Sequence, residues 1–211
     1  MDKERAARAL LKAKAVFLRP SEPFTWASGI KSPVYCDNRL ILAYPEIRSE
    51  VESLLTELIK SEYPGAEVLM GTATAGIPHA AIVAERMALP MGYVRSGNKD
   101  HGRQNRIEGA DPNGKNLVIV EDLISTGGSV IEVAEALREA GGNVLGIASL
   151  FTYGLQKGID RLAAAELKNV SLSDFETLSR VALEEKYITE SEYEMVTAFR
   201  LDPGGNWFEV K

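Results

Sequence analysis

The chain has 211 residues, of which 45% are hydrophobic and 26% charged, an ordinary composition for a globular protein with one substantial domain. The formal net charge of −6 leaves no basic excess to neutralise nucleic-acid phosphates, which argues against a nucleic-acid partner. Cys36 is the only cysteine, so an internal disulfide is excluded and a reducing compartment is favoured. No signal peptide or membrane-length apolar run is visible, and we expect a cytoplasmic protein with no membrane partner.

The first quarter of the chain predicts two helices separated by a β-prone segment. Apolar residues at helical spacing indicate a short amphipathic helix over residues 3–15. Residues 24–37 are rich in aromatic and β-branched types, and Gly29 and Pro33 are turn signals within them. Pro45 suits the first position of a second helix, which Pro64 and Gly65 would end.

Short apolar runs then alternate with helical patterns, which is typical of an α/β protein. The runs predict strands that are buried on both faces of a parallel sheet, at residues 68–70, 91–94, 117–121, 144–151 and 170–172. The intervening helices would cover both faces of that sheet. Two more helices follow, each with a predicted capping box, at Ser173–Glu176 and Thr189–Glu192. Ligand sites in such sheets lie beyond the carboxyl ends of the strands.

Residues 96–114 show no apolar periodicity, although they follow directly on a predicted strand. A loop of that length in a compact domain is usually functional or disordered. It is locally cationic in an acidic protein, with basic residues at Arg95, Lys99, His101, Arg103 and Arg106. Two glycines, at positions 97 and 102, would suit a closing lid, and a solvated basic loop is the alternative interpretation.

The segment Leu117–Val130 carries the strongest functional pattern. Four apolar residues are followed by Glu121 and Asp122, then by hydroxyl residues and glycines over 125–129, and then by a helical pattern. A strand, a small-residue loop and a helix N-terminus form an anion site, because backbone N–H groups and the helix dipole converge there. Two carboxylates beside an anion make sense if the ligand also has a diol or forms a cationic transition state. A sugar phosphate that reacts at its anomeric carbon has both features.

Two other kinds of segment share part of this pattern. An ordinary strand-to-helix turn would use the same small residues but would not explain the acidic pair. The motifs of a P-loop and of a dinucleotide-binding loop are both absent.

A second strand–loop–helix unit is predicted around Gly71–Pro78. Its loop is also small and hydroxylic, and a plain connection would look the same. Together with the later loop, it would hold the other end of a ligand with two phosphorylated groups. His79, just inside the following helix, is interpreted as structural.

At Val120–Ser129 the sequence resembles the phosphoribosyl-diphosphate loop of type I phosphoribosyltransferases. Thr25–Pro33 and Arg95–Gly102 narrow the resemblance to the orotate phosphoribosyltransferase family, and it covers roughly residues 10–200. It implies the type I phosphoribosyltransferase fold in a single domain, 1–211, with residues 1–40 contributing a small hood over the base site. The family's diphosphate loop corresponds to Gly71–Gly76.

The resemblance also implies an activity and a set of site residues. The activity is transfer of the 5-phosphoribosyl group from phosphoribosyl diphosphate to orotate, giving orotidine 5′-phosphate and diphosphate in pyrimidine (UMP) biosynthesis. The enzyme would be a homodimer whose active site is shared between subunits, with Mg²⁺ carried by the diphosphate and no metal ligands from protein side chains. Lys99 and Asp122 would be catalytic, and orotate would contact Ser125, Lys31 and Tyr35. Phosphoribosyl diphosphate would contact Arg95, Lys99, His101, Glu121, Asp122, Leu123, Ile124, Ser125, Thr126, Gly127, Gly128 and Ser129.

Two alternative functions stay open at this point. The protein could be a phosphoribosyltransferase for a different base, which the loop alone does not exclude. It could also be a non-enzymatic regulator that senses phosphoribosyl diphosphate. A regulator would need a nucleic-acid surface, and the sequence contains no basic helix or additional domain that would supply one.

Overall fold

The structure is a computed structural model that describes residues 2–25, 29, 31–95 and 106–209. The chain divides into two compact units, one comprising Ser49–Leu172 and the other Asp2–Arg48 together with the segment that begins at Ser173. Within the described ranges, no helix has both the length and the apolar character needed to cross a membrane.

The helices and strands of the described residues follow the alternation that the sequence predicts. The strands are β1 (Val16–Leu18), β2 (Phe24–Thr25), β3 (Lys31–Ser32), β4 (Val34–Cys36), β5 (Val68–Thr72), β6 (Met91–Val94), β7 (Ile107–Gly109), β8 (Asn116–Ile124), β9 (Asn143–Thr152) and β10 (Asn169–Asp174). The α-helices are α1 (Lys3–Lys12), α2 (Pro45–Glu62), α3 (Gly76–Met87), α4 (Gly128–Glu139), α5 (Gln156–Ala164), α6 (Phe175–Glu184) and α7 (Glu190–Leu201).

The first unit is built on a sheet that has six strands among the described residues, in the order β10-β9-β8-β5-β6-β7. β5 pairs in parallel with β6 and β8, and β8 pairs in parallel with β9. The predicted α/β fold with a mostly parallel sheet is confirmed. The central strand β8 contributes Leu117 and Ile119 to a core that α4 closes with Val130 and Leu137. This core fixes the orientation of α4 and therefore of the loop that precedes it.

One edge of the sheet differs from the prediction. Residues 107–109 form β7, antiparallel to β6, so the predicted loop from 96 to 114 is wrong for these residues. The Tyr93 hydroxyl donates to the Glu108 carboxylate, and Arg95 Nη1 lies 2.9 Å from Glu108 Oε1. Cross-strand pairs of this kind stabilise a strand that is too short to show a periodic pattern in the sequence.

Other predicted boundaries also change, and the helix predicted over residues 3–15 ends at Lys12. β8 continues to Ile124 because Leu123 and Ile124 pair with Phe151 and Thr152 of β9, so the loop is shorter than predicted and starts at Ser125. The capping box predicted at Ser173 is wrong, because Asp174 caps α6 by accepting the Thr177 N–H at 2.8 Å. The capping box at Thr189 is confirmed.

The second unit combines the N-terminal segment with the last two α-helices. α1 packs on α6, and the two helices are joined by exposed ion pairs, including Lys3 with Asp174 and Arg180 with Glu4. Edge-to-face aromatic contacts connect α6, α7 and the short helical turn at Trp207–Glu209. β1 pairs with β4, and β2 pairs with β3, both antiparallel. The single-domain boundary 1–211 and the hood function of residues 1–40 stay predictions.

A substitution at Gly76, the first residue of α3, will test how tightly β5, α3 and β8 approach one another. A Cβ atom at Gly76 would lie 2.4 Å from both Thr72 Oγ1 and the Val120 carbonyl oxygen, and the second of these is backbone. We expect Gly76→Ala to lower the free energy of unfolding by about 1–3 kcal/mol, because overpacking forces the backbone apart. Urea titration of the purified variant measures this change.

Gly65→Ala is the matched control, since a Cβ atom there would have no neighbour within 4 Å. We expect that variant to change the free energy of unfolding by no more than about 0.5 kcal/mol. Equal midpoints and slopes for the two variants would show that the close approach at Gly76 is not required for stability.

Candidate functional site

Three neighbouring parallel strands end at one cavity of about 270 Å³. The parallel register places Gly71 of β5 beside Val120 of β8, and Thr72 beside Val94 of β6. The polar lining therefore comes from the carboxyl-terminal parts of β5 and β8, from the residues next to β6 and β7, and from the start of α4. It comprises Thr72, Arg95, Arg106, Glu121, Asp122, Ser129 and Glu132.

A buried carboxyl group occupies the centre of this lining. Glu121 is only 6% exposed, and its Oε1 accepts the Thr72 hydroxyl at 2.7 Å and the Asp122 N–H at 2.9 Å. Burial raises the pKa of Glu121 to about 8, and the Asp122 carboxyl adds to the increase because two like charges are close together. The Thr72 and Asp122 donors oppose this shift without reversing it. Near neutral pH Glu121 therefore holds a proton, which reduces its repulsion of a neighbouring anion.

The turn after β8 leaves backbone N–H groups open at the start of α4. Gly127 is the N-cap residue, with a φ of 73°, a left-handed conformation that glycine adopts without steric cost. No side chain caps α4 and no acidic residue lies in its first turn, and the same holds for α3, whose N-cap is Ala75. Uncapped N–H groups and the positive end of the helix dipole bind anions.

Most of the predicted phosphoribosyl diphosphate contacts lie at this end of the sheet. Arg95, Glu121, Asp122, Leu123 and Ser129 line the cavity. Thr126, Gly127 and Gly128 belong to the turn and to the first turn of α4, directly after Ser125.

Two of the predicted contacts are engaged elsewhere. The Ile124 side chain is 3% exposed and packs in the hydrophobic core, so only its backbone could serve a ligand. Arg95 forms an exposed ion pair with Glu108, which water and ligand phosphates can replace at little cost.

Sequence reasoning missed Thr72, Arg106 and Glu132. Thr72 falls within the small hydroxylic loop that the sequence predicts around Gly71–Pro78. That pattern does not show that its hydroxyl donates a hydrogen bond to Glu121, 49 positions away. Arg106 was one of several basic residues in a predicted loop, and the pattern did not separate it from the others. Glu132 lies one turn into α4, where a solvated glutamate is the ordinary expectation.

The predicted orotate contacts Lys31 and Tyr35 belong to the second unit. Lys31 Nζ is 2.8 Å from the Thr25 hydroxyl oxygen, and both residues are exposed. The Tyr35 ring is 43% exposed and packs at 5.6 Å, centroid to centroid, against the Phe24 ring. Trp26–Ser28 and Ile30 of the same segment, and Lys99 and His101 of the basic loop, lie outside the described residues.

A larger cavity, of about 810 Å³, lies beside α4 and is lined in part by residues 109–113. Its α4 side carries three glutamates at helical spacing, Glu132, Glu135 and Glu139. The first turn of α4 and the carboxyl ends of β5 and β8 line the smaller cavity and not this one. We therefore place the functional site at the smaller cavity.

The prediction that His79 is structural is confirmed by its complete burial. Its Nδ1 atom lies 2.5 Å from Glu52 Oε1, and both side chains are fully buried. A residue without solvent contact cannot touch a ligand in this conformation, and the pair joins α3 to α2.

The described residues contain no group of three or more metal-binding side chains. Glu121 and Asp122 supply the hard oxygen ligands that Mg²⁺ prefers. A pair of this kind fits an ion that takes most of its ligands from water and from substrate oxygens.

Comparison with known proteins agrees with this geometry. Residues 39–185 match a family described as the phosphoribosyl transferase domain. The chain is 55% identical over 208 residues to an orotate phosphoribosyltransferase of Bacillus pumilus (strain SAFR-032), covering 98% of each chain. It is 52% identical to that of Bacillus subtilis (strain 168), covering 98% of this chain and 96% of the relative. A crystal structure of orotate phosphoribosyltransferase from Aeropyrum pernix superimposes with a TM-score of 0.75 at 31% identity, covering 87% of this chain and 99% of the other.

The raised pKa of Glu121 predicts how the unfolding free energy depends on pH. Because the pKa of Glu121 is raised from 4.5 to about 8 in the folded protein, the native state keeps a proton that the unfolded chain loses in this range. The stability contributed by that proton is full below about pH 4.5 and is lost as the pH rises through about 8. Glutamine resembles the protonated acid at every pH, so we expect the unfolding free energy of Glu121→Gln to decrease less across this window.

The measurement is the urea unfolding free energy of both proteins at intervals between pH 4.5 and 9. Glu57→Gln, an exposed glutamate of α2, controls for the loss of one carboxylate. Parallel pH profiles for Glu121→Gln and the unsubstituted protein would show that Glu121 is already ionised at low pH in the folded state.

Proposed function

Since this chain belongs to the phosphoribosyl transferase domain family, we propose that it transfers the 5-phosphoribosyl group from phosphoribosyl diphosphate to orotate. A bond forms between a ring nitrogen of orotate and the anomeric carbon, and the bond from that carbon to the diphosphate oxygen breaks. The products are orotidine 5′-phosphate and diphosphate, in pyrimidine biosynthesis. The observation that carries this proposal is identity above 50% to orotate phosphoribosyltransferases over almost the whole chain.

The turn after β8 would bind the 5′-phosphate. Gly127 adopts the left-handed turn that precedes the open N–H groups of α4, and the hydroxyl groups of Ser125, Thr126 and Ser129 would add donors. The open N–H groups of α4 favour a doubly charged group there. This contact is the same before and during the reaction, so it contributes mainly to substrate binding.

Glu121 and Asp122 would bind the ribose hydroxyl groups. A carboxylate accepts hydrogen bonds from a diol, and positive charge develops at the anomeric carbon as the diphosphate leaves. Negative charge near that carbon lowers the energy of the transition state more than that of the bound substrate. Thr72 holds one Glu121 oxygen, which orients the carboxyl group for this role.

Mg²⁺ would enter with the diphosphate, and when bound it neutralises charge on the leaving group. Glu121 and Asp122 are the carboxylates that lie nearest to the expected position of the substrate. The end of β5 and the start of α3 would receive the diphosphate, because the first turn of α3 has neither a side-chain cap nor an acidic residue that would repel an anion.

Several parts of the proposal are supported by the family resemblance alone. They are the closing of Lys99 and His101 over the diphosphate, the orotate contacts of Lys31, Tyr35 and Ser125, and a homodimer in which Lys99 serves the partner's site. A cytoplasmic location also stays a prediction.

A spectrophotometric assay will test the choice of base. Orotate loses its conjugated absorption when its ring nitrogen is glycosylated, so its consumption is followed directly. We expect turnover with orotate, phosphoribosyl diphosphate and Mg²⁺, and turnover at least about a hundredfold lower with uracil or adenine, which lack the carboxylate. Equal rates with another base would assign the protein to a different phosphoribosyltransferase, and no turnover with any base would favour a sensor.

A subunit-mixing experiment will test the shared active site. Lys99→Ala removes the cation of the basic loop, and Asp122→Asn removes an acid of the ribose site, so we expect each homodimer to be inactive. In a two-fold symmetric hybrid one site receives both defects and the other receives neither. Random exchange makes about half of the dimers hybrid, so about a quarter of all sites should be intact.

Activity is measured after the two inactive proteins are mixed, dissociated and reassociated, with each protein treated alone as the control. Native mass spectrometry confirms subunit exchange. If hybrids form and activity stays at the level of the single variants, Lys99 acts within its own subunit.

A further inference from the structure

We propose that Arg161, on α5, binds the 5′-phosphate of phosphoribosyl diphosphate beside the start of α4. This inference rests on the proposed function and adds one residue to it, on an element that the sequence pattern did not connect with the site. Three observations support it: the position of the guanidinium group, its lack of a partner and its electrostatic environment.

The guanidinium group lies directly against the turn that precedes α4. A Cβ atom built on Gly128 would be 3.3 Å from Arg161 Nη1 and 3.4 Å from Nη2. Gly128 is the first residue of α4, where the open N–H groups are. An arginine side chain that reaches this residue has the length and the donors to bind a phosphate held by the same turn.

Close packing holds α5 against this turn, so the backbone from which the Arg161 side chain extends has a fixed position. A Cβ atom on Gly158 would lie 2.5 Å from the Ser125 carbonyl oxygen, and one on Gly127 would lie 3.3 Å from Leu162 Cγ. Leu162 is 6% exposed and belongs to the hydrophobic core that includes Val130 and Leu137 of α4. The helix that carries Arg161 is thereby fixed next to the loop.

Arg161 has no hydrogen-bond or ion-pair partner for its guanidinium group among residues 2–25, 29, 31–95 and 106–209. The neighbouring Arg138 is different, because it donates to the carbonyl oxygens of Ala165 and Glu166 at 2.8 and 3.0 Å and closes the end of α5. Arg138 therefore has a structural role, whereas the donors of Arg161 are available.

The electrostatic environment favours an anion at this place. The N-terminus of α4 carries the positive end of the helix dipole, and its first turn contains no acidic side chain. A guanidinium group beside that terminus adds a second positive charge, and the two repel each other. A phosphate between them would turn this repulsion into two attractions, and five planar donors suit phosphate oxygens.

Binding of two simple probes will test the proposal independently of turnover. Ribose 5-phosphate carries only the 5′-phosphate, and inorganic diphosphate represents the other end of the substrate. We expect Arg161→Gln to weaken ribose 5-phosphate about tenfold in calorimetric titration, the loss of one charge-assisted hydrogen bond at an exposed site. Diphosphate affinity should not change, and Arg161→Lys should keep most of the affinity because it retains the cation.

Lys60→Gln is the control for loss of one positive charge, because Lys60 is exposed in the last turn of α2. In steady-state kinetics, Arg161→Gln should raise KM for phosphoribosyl diphosphate and leave kcat nearly unchanged, since the contact is equal in the ground and transition states. Far-UV circular dichroism and thermal midpoints confirm that the variants are folded.

Unchanged ribose 5-phosphate affinity in Arg161→Gln would overturn the proposal, as would equal weakening of ribose 5-phosphate and diphosphate. Failure of the unsubstituted protein to bind ribose 5-phosphate would overturn both this inference and the proposal that the turn after β8 binds the 5′-phosphate. Failure to consume orotate, with ribose 5-phosphate binding intact and dependent on Arg161, would overturn the choice of base and leave the role of Arg161 standing.

Discussion

The site depends on one buried carboxyl group at the end of the central strand. Glu121 is removed from water, and a buried carboxylate is costly unless its oxygens are paired or protonated. The fold supplies the Thr72 hydroxyl from the adjacent strand and the Asp122 N–H from its own strand, while burial and then the Asp122 carboxyl raise the pKa of Glu121. Gly76 makes the contact possible, because any side chain there would collide with Thr72 and with the Val120 carbonyl. Gly76, at the start of α3, thus permits the hydrogen bond from Thr72 that orients Glu121 on β8.

This arrangement reconciles two acids with an anionic ligand. In the absence of substrate the proton on Glu121 lowers the negative charge beside the phosphate turn. In the proposed function, ribose hydroxyls that donate to Glu121 would stabilise its ionised form, and the ionised form would favour positive charge at the anomeric carbon. The same two residues can therefore tolerate the substrate's phosphates and still stabilise the proposed transition state.

The proposed binding of phosphates would use helix ends that have no side-chain cap. α1, α6 and α7 of the second unit each have a side-chain cap and an acidic residue in the first turn, as helices with purely structural roles commonly do. α3 and α4 have neither, and both begin directly after strands that end at the cavity. Beside α4 lies the guanidinium group of Arg161, which has no partner in the part of the chain that the structure describes, on a helix whose packing fixes its position. A bound phosphate would satisfy both the open N–H donors and this cation.

The sequence by itself determined the α/β class, the order of most elements and the segments that end at the site. These follow from local pattern, because a strand buried on both faces needs a continuous apolar run and an anion turn needs glycines before a helix. The tertiary structure alone decided which distant residues meet: Thr72 with Glu121, and Arg161 with Gly128. It also decided the edge strand at Ile107–Gly109, which is too short for a pattern, and the raised pKa of Glu121, which depends on burial by other strands and helices. Strand register and helix packing set these contacts, and neither is encoded in the spacing of residues along one segment.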